Sequence, residues 1–250
     1  MLLVPALLVA VSVVATLVVV RAVGRADPVA QDRPGPVLLV SGYGGSTRVL
    51  EPLRATLERA GRDVVVVPPV DDGTGDIEAQ AEALAGQADA ALARSGAGSV
   101  DVVGFSAGGV VARSWVRDHG GASVARRVLS VGSPQHGTSV AELALGLAGR
   151  CAEACRQLVP GSALLRGLNA GDETPAGPVF VSVWSDTDRV VVPGDSGRLS
   201  GALNLAVQSL CPRARTEHGD LPSDPVVQAL LGTALGTGAP RTPTEVRCGA

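Results

Sequence analysis

Runs of branched apolar residues recur along the chain, and most of them are followed by a turn and then by a stretch with helical spacing. Such runs are typical of strands that are buried on both faces of a sheet. The runs that predict strands lie at residues 37–40, 64–67, 100–103, 128–131, 179–184 and 204–210. The stretches that predict helices lie at residues 48–60, 77–94, 107–119, 140–147 and 225–231. The alternation predicts an α/β fold with a mostly parallel central sheet and helices on both faces.

Interruptions of this alternation of strands and helices divide the chain into four parts. Residues 1–25 are predicted to form a hydrophobic anchor or signal segment, and the Pro-rich residues 26–36 a linker. Residues 37–235 carry the strand and helix alternation and are predicted to form the catalytic domain, followed by a tail at 236–250. Within the domain, residues 139–177 form the longest insertion between core strands, and we expect them to be a short cap over the pocket.

The first twenty residues contain no charged side chain and are long enough to cross a bilayer as a helix. A cleavable signal peptide has basic residues before a shorter apolar core, whereas here Arg21 and Arg25 follow the apolar stretch. An uncleaved anchor fits this pattern better, although a signal peptide and a start further upstream stay open. The flanking arginines favour a cytoplasmic domain, while four cysteines favour export. We expect an exported protein that is either membrane-anchored by this segment or secreted.

Composition narrows the function classes. Hydrophobic residues make up 46% of the chain but aromatic residues only 2%, so the core must be aliphatic. All 21 basic residues are arginines, and the net charge is -3. The chain therefore lacks the excess of positive charge that is typical of nucleic-acid-binding proteins. We therefore expect no nucleic-acid partner.

The strongest candidate for chemistry is the pattern Gly104-x-Ser106-x-Gly108, placed between a predicted strand and a predicted helix. In that setting a serine sits on a sharp, strained turn that exposes its hydroxyl group as a nucleophile. Large side chains two residues to either side would collide with the neighbouring strand and helix, so glycine is required there. The start of the following helix favours negative charge at the reacting centre.

A glycine-rich loop at 41–46 follows the first predicted strand. One interpretation is a phosphate cradle, but the register of its glycines does not match the dinucleotide-binding pattern. The other is a loop that presents a backbone N–H group to a carbonyl oxygen under attack.

A nucleophilic serine needs a histidine base and an acid that orients it, in the chain order serine, acid, histidine. Asp188 follows the strand at 179–184 and is the first choice for the acid, with Asp186 the second. His218 comes thirty residues after Asp188, in the loop before the last helix. His136 precedes either acid and is interpreted as a loop residue near the site.

Other acidic residues have simpler interpretations. Asp172 and Glu173 are a possible acid–base pair, but neighbouring loop carboxylates are usually solvated. A metal site formed by Asp71, Asp72 and Asp76 is less favoured than turn and helix-capping roles. No His and Cys cluster has the spacing of metal ligands, so we expect neither a metal nor another cofactor.

Together these motifs resemble the α/β-hydrolase superfamily, and most closely the small bacterial lipases and esterases with almost no lid, including exported actinobacterial relatives. The resemblance covers roughly residues 36–231 and includes a Gly-Ser-Pro-x-His-Gly-Thr loop at 132–138. It implies the α/β-hydrolase fold, with Ser106 as nucleophile, Asp188 as acid and His218 as base. It also implies an oxyanion hole formed by the backbone N–H groups of Tyr43 and Ala107. Ser41-Gly42 stands where many relatives have His-Gly, which affects local packing more than backbone donors.

Four cysteines allow three pairings. We expect a bridge within the cap between Cys151 and Cys155, which are close in sequence, and a second bridge between Cys211 and Cys248 that ties down the tail.

The sequence therefore predicts a serine lipase or esterase that hydrolyses a carboxylic ester through an acyl-enzyme. An acyltransferase with the same acyl-enzyme and a catalytically silent binding protein are the alternatives. The expected partner is a small-molecule or lipid ester, with the membrane contacted through the N-terminal segment and a monomer as the favoured state.

Overall fold

A parallel sheet of six strands forms the centre of the computed structural model, which describes residues 29–248. The spatial order of the strands is β2-β1-β3-β4-β5-β6, and every neighbouring pair is parallel. The strands are β1 (Val37–Val40), β2 (Val64–Val66), β3 (Val100–Phe105), β4 (Ala125–Val131), β5 (Val179–Trp184) and β6 (Leu203–Ala206). The predicted α/β-hydrolase fold class is confirmed, because this sheet is covered by helices on both faces.

Helices connect the strands, as the alternation predicted. They are α1 (Glu51–Arg59), α2 (Ile77–Ser95), α3 (Ala107–Asp118), α4 (Ser139–Ala148), α5 (Glu153–Gln157), α6 (Ala163–Leu168), α7 (Val207–Leu210) and α8 (Pro225–Ala234). Two caps begin helices as expected, since the Asp76 carboxylate accepts from the N–H of Glu78 and the Asp224 carboxylate from that of Val226.

Side chains alternate between the two faces of the sheet, and each face has its own core. Val37 and Leu39 of β1 pack with α1 and α8, while Leu38 and Val40 pack with α2 and α3. A strand that is apolar at every position is therefore buried on both faces. This explains why the chain needs unbroken apolar runs rather than alternating ones.

The prediction of a last strand over residues 204–210 is wrong in its second half. The ladder between β5 and β6 ends where Trp184 pairs with Ala206, so the chain beyond Ala206 has no neighbouring strand to bond. It turns instead into the short helix α7. Apolar content alone does not distinguish a strand from a short buried helix.

A cluster of buried charges lies at the edge of the sheet where β3 and β4 begin. The Asp101 carboxylate is fully buried and accepts from Nε and Nη2 of Arg126, at 2.9 and 2.5 Å, and from Nη2 of Arg62 at 2.6 Å. The two guanidinium groups also donate to the carbonyl oxygens of Gln31, Gly35, Leu235 and Gly236. Residues 31–35 before β1 and residues 235–236 after α8 are thus fastened to the amino-terminal edge of the sheet.

The predicted anchor at residues 1–25 lies outside the described residues. Across residues 29–248, no helix has the length and apolar character needed to cross a membrane.

Candidate active site

Ser106 occupies the turn between β3 and α3, with φ 55° and ψ -128°. This backbone conformation is unfavourable for a residue with a side chain and costs roughly 1–3 kcal/mol. The turn is held by a hydrogen bond of 2.9 Å from the Ser106 N–H to the carbonyl oxygen of Val131 on β4. The predicted strained serine turn is therefore present.

The two glycines of the motif are required by close backbone contacts. A Cβ atom added to Gly104 would lie 2.4 Å from the carbonyl oxygen of Gly108, and one added to Gly108 would lie 2.4 Å from that of Val40. Both distances are far too short for any side chain. The expected collision with the neighbouring helix and strand is thus the reason for glycine at these positions.

Ser106, His218 and Asp188 form a continuous line of hydrogen bonds. The Ser106 Oγ atom lies 2.9 Å from Nε2 of His218, whose Nδ1 atom lies 2.7 Å from Oδ2 of Asp188. Ser106 and His218 are 112 positions apart in sequence, and Asp188 lies between them. The parallel sheet brings the three residues together at the carboxyl ends of its strands. The imidazole ring also packs against Phe105, with the ring centroids 4.9 Å apart.

The Asp188 side chain is almost fully buried, and its other oxygen is occupied as well. Oδ1 accepts from the N–H groups of Val190 and Val191, at 2.7 and 3.0 Å. Three hydrogen-bond donors therefore fix the orientation of the carboxylate. Asp186, the second choice for the acid, accepts instead from Nε1 of Trp184 at 3.0 Å, and Nδ1 of His218 is bonded to Asp188.

Two side chains that the sequence did not single out connect the loops that carry the acid and the histidine. The Gln208 amide group accepts from the Asp186 N–H and donates to the Ser185 hydroxyl and to the carbonyl oxygen of Ala214. The Thr187 hydroxyl donates to the carbonyl oxygen of Thr216 at 3.0 Å. No sequence signal marks these bonds, and Gln208 lies in the segment that was predicted as a strand.

The glycine-rich loop lies directly against the serine. A Cβ atom on Gly42 would lie 2.6 Å from the Cβ atom of Ser106, so only glycine lets the loop approach this closely. Tyr43, the next residue, is half exposed and lines a cavity that also contains Ser106. The N–H of Ala107 is the first of helix α3, which begins directly after Ser106. An oxyanion hole at Tyr43 and Ala107 stays a prediction.

The cavity at Ser106 has a volume of about 250 Å³ and is mostly apolar. Residues of the 139–177 segment, the cap, supply much of its wall. The cap residues that line it are Val140, Ala141, Ala144, Cys151, Cys155 and Leu158. An apolar lining of this kind favours an apolar group over a charged one.

His136 and Glu173 belong to a different cavity. Nε2 of His136 lies 2.9 Å from Oε1 of Glu173, and the Ser200 N–H donates to Oε2 of the same carboxylate. Burial raises the pKa of Glu173, but these hydrogen bonds and the nearby charges of His136 and Arg113 outweigh it and lower that pKa overall. Asp172 accepts from the Thr174 N–H in a local turn. Asp172 and Glu173 therefore do not form an acid–base pair at Ser106.

Arg113 fastens the cap to the helix that follows the serine. Its guanidinium group is buried and donates to the carbonyl oxygens of Leu168 and Glu173 and to Oδ1 of Asn169, at 2.5, 2.9 and 2.7 Å. Burial is the main cause that lowers the pKa of Arg113 to about 10. The guanidinium is still charged at neutral pH and holds the end of the cap on α3.

The cysteines form two disulfides, Cys151–Cys155 and Cys211–Cys248, which are the pairs expected from the sequence. Asp71 and Asp72 lie in a 3-10 turn, and Asp76 caps α2. Among residues 29–248, no three His, Cys, Asp or Glu side chains are grouped as metal ligands would be.

Solved structures with this fold include two lipases. Lipase B of Aspergillus fumigatus superposes with a TM-score of 0.73 at 21% identity, and the match covers 84% of this chain and 54% of that protein. The mature lipase BlEst2 of Bacillus licheniformis superposes with a TM-score of 0.62 at 17% identity, covering 80% of this chain and 89% of that one. The chain thus spans about half the length of the Aspergillus lipase. At these identities the likeness shows the α/β-hydrolase fold.

Sequence comparison identifies the family. No curated protein matches the chain. Residues 36–168, which include β1, the serine turn and most of the cap, match the palmitoyl protein thioesterase family. The chain therefore belongs to the palmitoyl protein thioesterase family, a group of α/β-hydrolases of the lipase and thioesterase type.

Proposed function

We propose that this protein is a serine hydrolase that cleaves carboxylic esters through an acyl-enzyme on Ser106. The observation that carries the proposal is the hydrogen-bonded line from Ser106 through His218 to Asp188, which ends in an apolar cavity. A buried serine hydroxyl bonded to a histidine has a base within reach of its proton.

The first step is the attack of Ser106 on the ester carbonyl. Because Nδ1 of His218 donates to the Asp188 carboxylate, Nε2 carries no proton and accepts the one from the serine hydroxyl. Asp188 then stabilises the imidazolium ion without taking its proton. The same Nε2 atom returns the proton to the leaving alcohol.

The negative charge that develops on the carbonyl oxygen needs donors that are already in place. We assign the backbone N–H groups of Tyr43 and Ala107 to this task. The close approach of Gly42 to Ser106 and the start of α3 directly after the serine support the assignment. Loss of one such donor costs about 100- to 1000-fold in rate. Water activated by His218 then releases the acid and restores the serine.

Acyl thioesters are the second candidate substrate. Membership in the palmitoyl protein thioesterase family favours them, and the apolar cavity suits an acyl chain with either leaving group. A thiol with a pKa of about 8.5 leaves far more readily than an alcohol, so a thioester depends less on proton return from His218. Transfer of the acyl group to an alcohol uses the same acyl-enzyme and is tested by adding acceptor alcohol.

We place this activity outside the cytoplasm, because two disulfides are typical of oxidising compartments. The substrate we propose is a small-molecule or lipid ester. Attachment to a membrane through residues 1–25 and a monomeric state are part of the same proposal.

Hydrolysis of p-nitrophenyl acetate, butyrate and octanoate, and of thioesters with the same acyl groups, tests the proposal. We expect Ser106→Ala to lower kcat by about 10⁶-fold on both series, which is the effect of losing a nucleophile in another serine hydrolase. Ser123→Ala, at an exposed serine, is the matched control and keeps the wild-type rate. Hydrolysis by Ser106→Ala at the rate of this control would refute the proposal. The ratio of thioester to ester kcat/KM in the wild type separates the two candidate substrates.

A further inference from the structure

Helix α4 of the cap is held by few packing contacts. Ala141 is the one member of this ten-residue helix that is buried, whereas Leu143 is 60% and Leu147 is 80% exposed. Most helices in proteins are stabilised by the burial of an apolar face. The position of α4 must therefore depend on how its two ends are attached.

The first end of α4 is fastened to the loop that carries Asp188. The Thr138 hydroxyl donates to the carbonyl oxygen of Val190 at 2.6 Å and accepts from the N–H groups of Val140 and Val192. The Ser139 N–H also donates to the carbonyl oxygen of Val192 at 2.9 Å. This end has four hydrogen bonds and is well fixed.

The second end of α4 is attached through the disulfide. The helix ends at Ala148, and residues 149–151 follow it. In the described part of the chain, two contacts link these residues to the next helix. They are the Cys151–Cys155 bond and a hydrogen bond of 3.3 Å from Arg156 to the carbonyl oxygen of Cys151. Helix α5, which contains Cys155, is itself anchored. Its Gln157 side chain accepts from the Ile77 N–H and donates to Asp76, and the Ala154 N–H donates to the carbonyl oxygen of Thr74.

The same disulfide and the same helix face the cavity at Ser106. Cys151 and Cys155 line it beside Ala141 and Ala144 of α4. A chain of contacts therefore runs from the anchored helix α5 through the disulfide to the wall of the cavity.

We propose that the Cys151–Cys155 disulfide is a specificity-determining element, which fixes the end of α4 as a wall of the acyl cavity and so favours longer acyl chains. The proposal rests on the function proposed above for the Ser106 cavity. With the bond absent, α4 keeps its attachment at Thr138, but its other end is joined to α5 only by the short peptide connection through Ala152 and by the hydrogen bond from Arg156 to Cys151. A short acyl group that reaches little beyond Ser106 depends less on this wall than a long one does.

The second disulfide provides a matched control. Cys211–Cys248 joins the end of α7 to the tail and lies outside the cavity lining. The test compares Cys151→Ser/Cys155→Ser with Cys211→Ser/Cys248→Ser, using kcat and KM for p-nitrophenyl acetate and octanoate. For the first variant we expect the ratio of octanoate to acetate kcat/KM to fall about tenfold, mainly through KM, as when a chain loses contact along roughly two methylene groups. The control keeps the wild-type ratio.

An unchanged ratio in a folded Cys151→Ser/Cys155→Ser protein overturns the proposal, whatever happens to its Tm. Equal changes in both variants also overturn it, since a general loss of stability would then be the cause. If the first variant does not fold, the wild type is reduced with a dithiol, which gives two electrons and two protons, converts the bond into two thiols and becomes a disulfide itself. The ratio is measured on the reduced protein before alkylation and must fall once the Cys151–Cys155 bond is open. Alkylation and peptide mass of the same sample then identify which pair was reduced.

The failure of this inference and the failure of the proposed function give different results. Hydrolysis of both esters by Ser106→Ala would refute the serine mechanism. If Ser106→Ala hydrolyses neither ester but the disulfide variant keeps the wild-type ratio of octanoate to acetate kcat/KM, only this inference is refuted.

Discussion

The two edges of the central sheet both carry buried charged side chains, but the groups are bonded in different ways. At the amino-terminal edge, the Asp101 carboxylate is held by two guanidinium groups, which in turn donate to backbone carbonyl oxygens. At the carboxyl-terminal edge, the line from Asp188 through His218 ends at the Ser106 hydroxyl, which faces a cavity. In the first arrangement, the charged groups are bonded to one another and to the backbone, so we expect them to stabilise the fold. The second ends at the hydroxyl group that we propose as the nucleophile.

This difference predicts that the same change, aspartate to asparagine, has opposite consequences at the two edges. It should remove activity at the carboxyl-terminal edge and stability at the amino-terminal edge.

Among the aspartate substitutions at the two edges, the largest effect is expected for Asp188→Asn. An amide at this position favours the wrong tautomer of His218, and kcat should fall by about 10⁴-fold. Because the side chain keeps its size and its contacts with the loop, Tm should change little by comparison. Steady-state kinetics and thermal unfolding measure the two quantities.

Asp186→Asn is the matched control for Asp188→Asn. Its carboxylate bonds Trp184 rather than His218, so the variant should keep kcat close to the wild-type value. If the control loses as much activity as Asp188→Asn, the assignment of the acid is wrong.

An intermediate effect is expected for Asp101→Asn. The substitution leaves Arg62 and Arg126 without their shared counter-charge in a buried site, which typically costs about 3–5 kcal/mol in the free energy of unfolding. The activity per folded molecule should be unchanged, because the cluster lies at the opposite edge from Ser106. Urea unfolding and kinetics on the same preparation test both statements.

Asp63→Asn serves as the control for Asp101→Asn, since Asp63 forms an ion pair with Arg94 in which both side chains are about half exposed. Such pairs contribute roughly 0–1 kcal/mol. Equal losses of stability in the two variants would show that burial of the Asp101 cluster has no special weight.

The smallest effect concerns the Glu173 carboxylate in the cap. Like Asp101 at the other edge, it accepts hydrogen bonds at both of its oxygens. Its pKa is lowered in the folded protein, so the pair with His136 adds stability at pH values above the usual Glu pKa of about 4.3. That contribution is lost as the pH falls through the lowered pKa. Since the pair is partly exposed to solvent, we expect less than about 1 kcal/mol.

Urea unfolding between neutral pH and about pH 3 checks this, because Glu173→Gln should reduce the pH dependence of stability in that range. The two proteins should differ most near neutral pH and become alike in acid. A difference that grows toward acid pH would have the wrong sign and would contradict the assignment. The kcat at neutral pH should stay near the wild-type value, since Glu173 does not contact Ser106.

The sequence predicts the reactive edge better than the opposite one. Ser106 is marked by glycines that only close backbone contacts explain, and Asp188 and His218 follow in the order that the fold requires. These signals are local and lie directly after apolar strands. Asp101 and Arg126, by contrast, lie inside strands, and their pairing depends on the alignment of β3 with β4 rather than on any motif.

Two contacts that the sequence did not predict have the same cause. Gln208 bonds the loop of Asp188 across more than twenty residues and the loop of His218 across six, and it lies in a segment whose apolar content suggested a strand. In the separate cavity, His136, which precedes the cap, pairs with Glu173 of the cap across 37 residues. Contacts of this kind depend on how loops fold over the sheet, which a pattern of apolar positions does not contain.

The central claim is that Ser106 is a nucleophile activated by His218. Its most direct test is reaction with a fluorophosphonate probe, followed by peptide mass mapping of the wild type, Ser106→Ala and His218→Ala. We expect a single phosphonylated residue, Ser106, with no label in Ser106→Ala and strongly reduced labelling in His218→Ala. An unlabelled wild type, or a label on another residue that persists in Ser106→Ala, would contradict it.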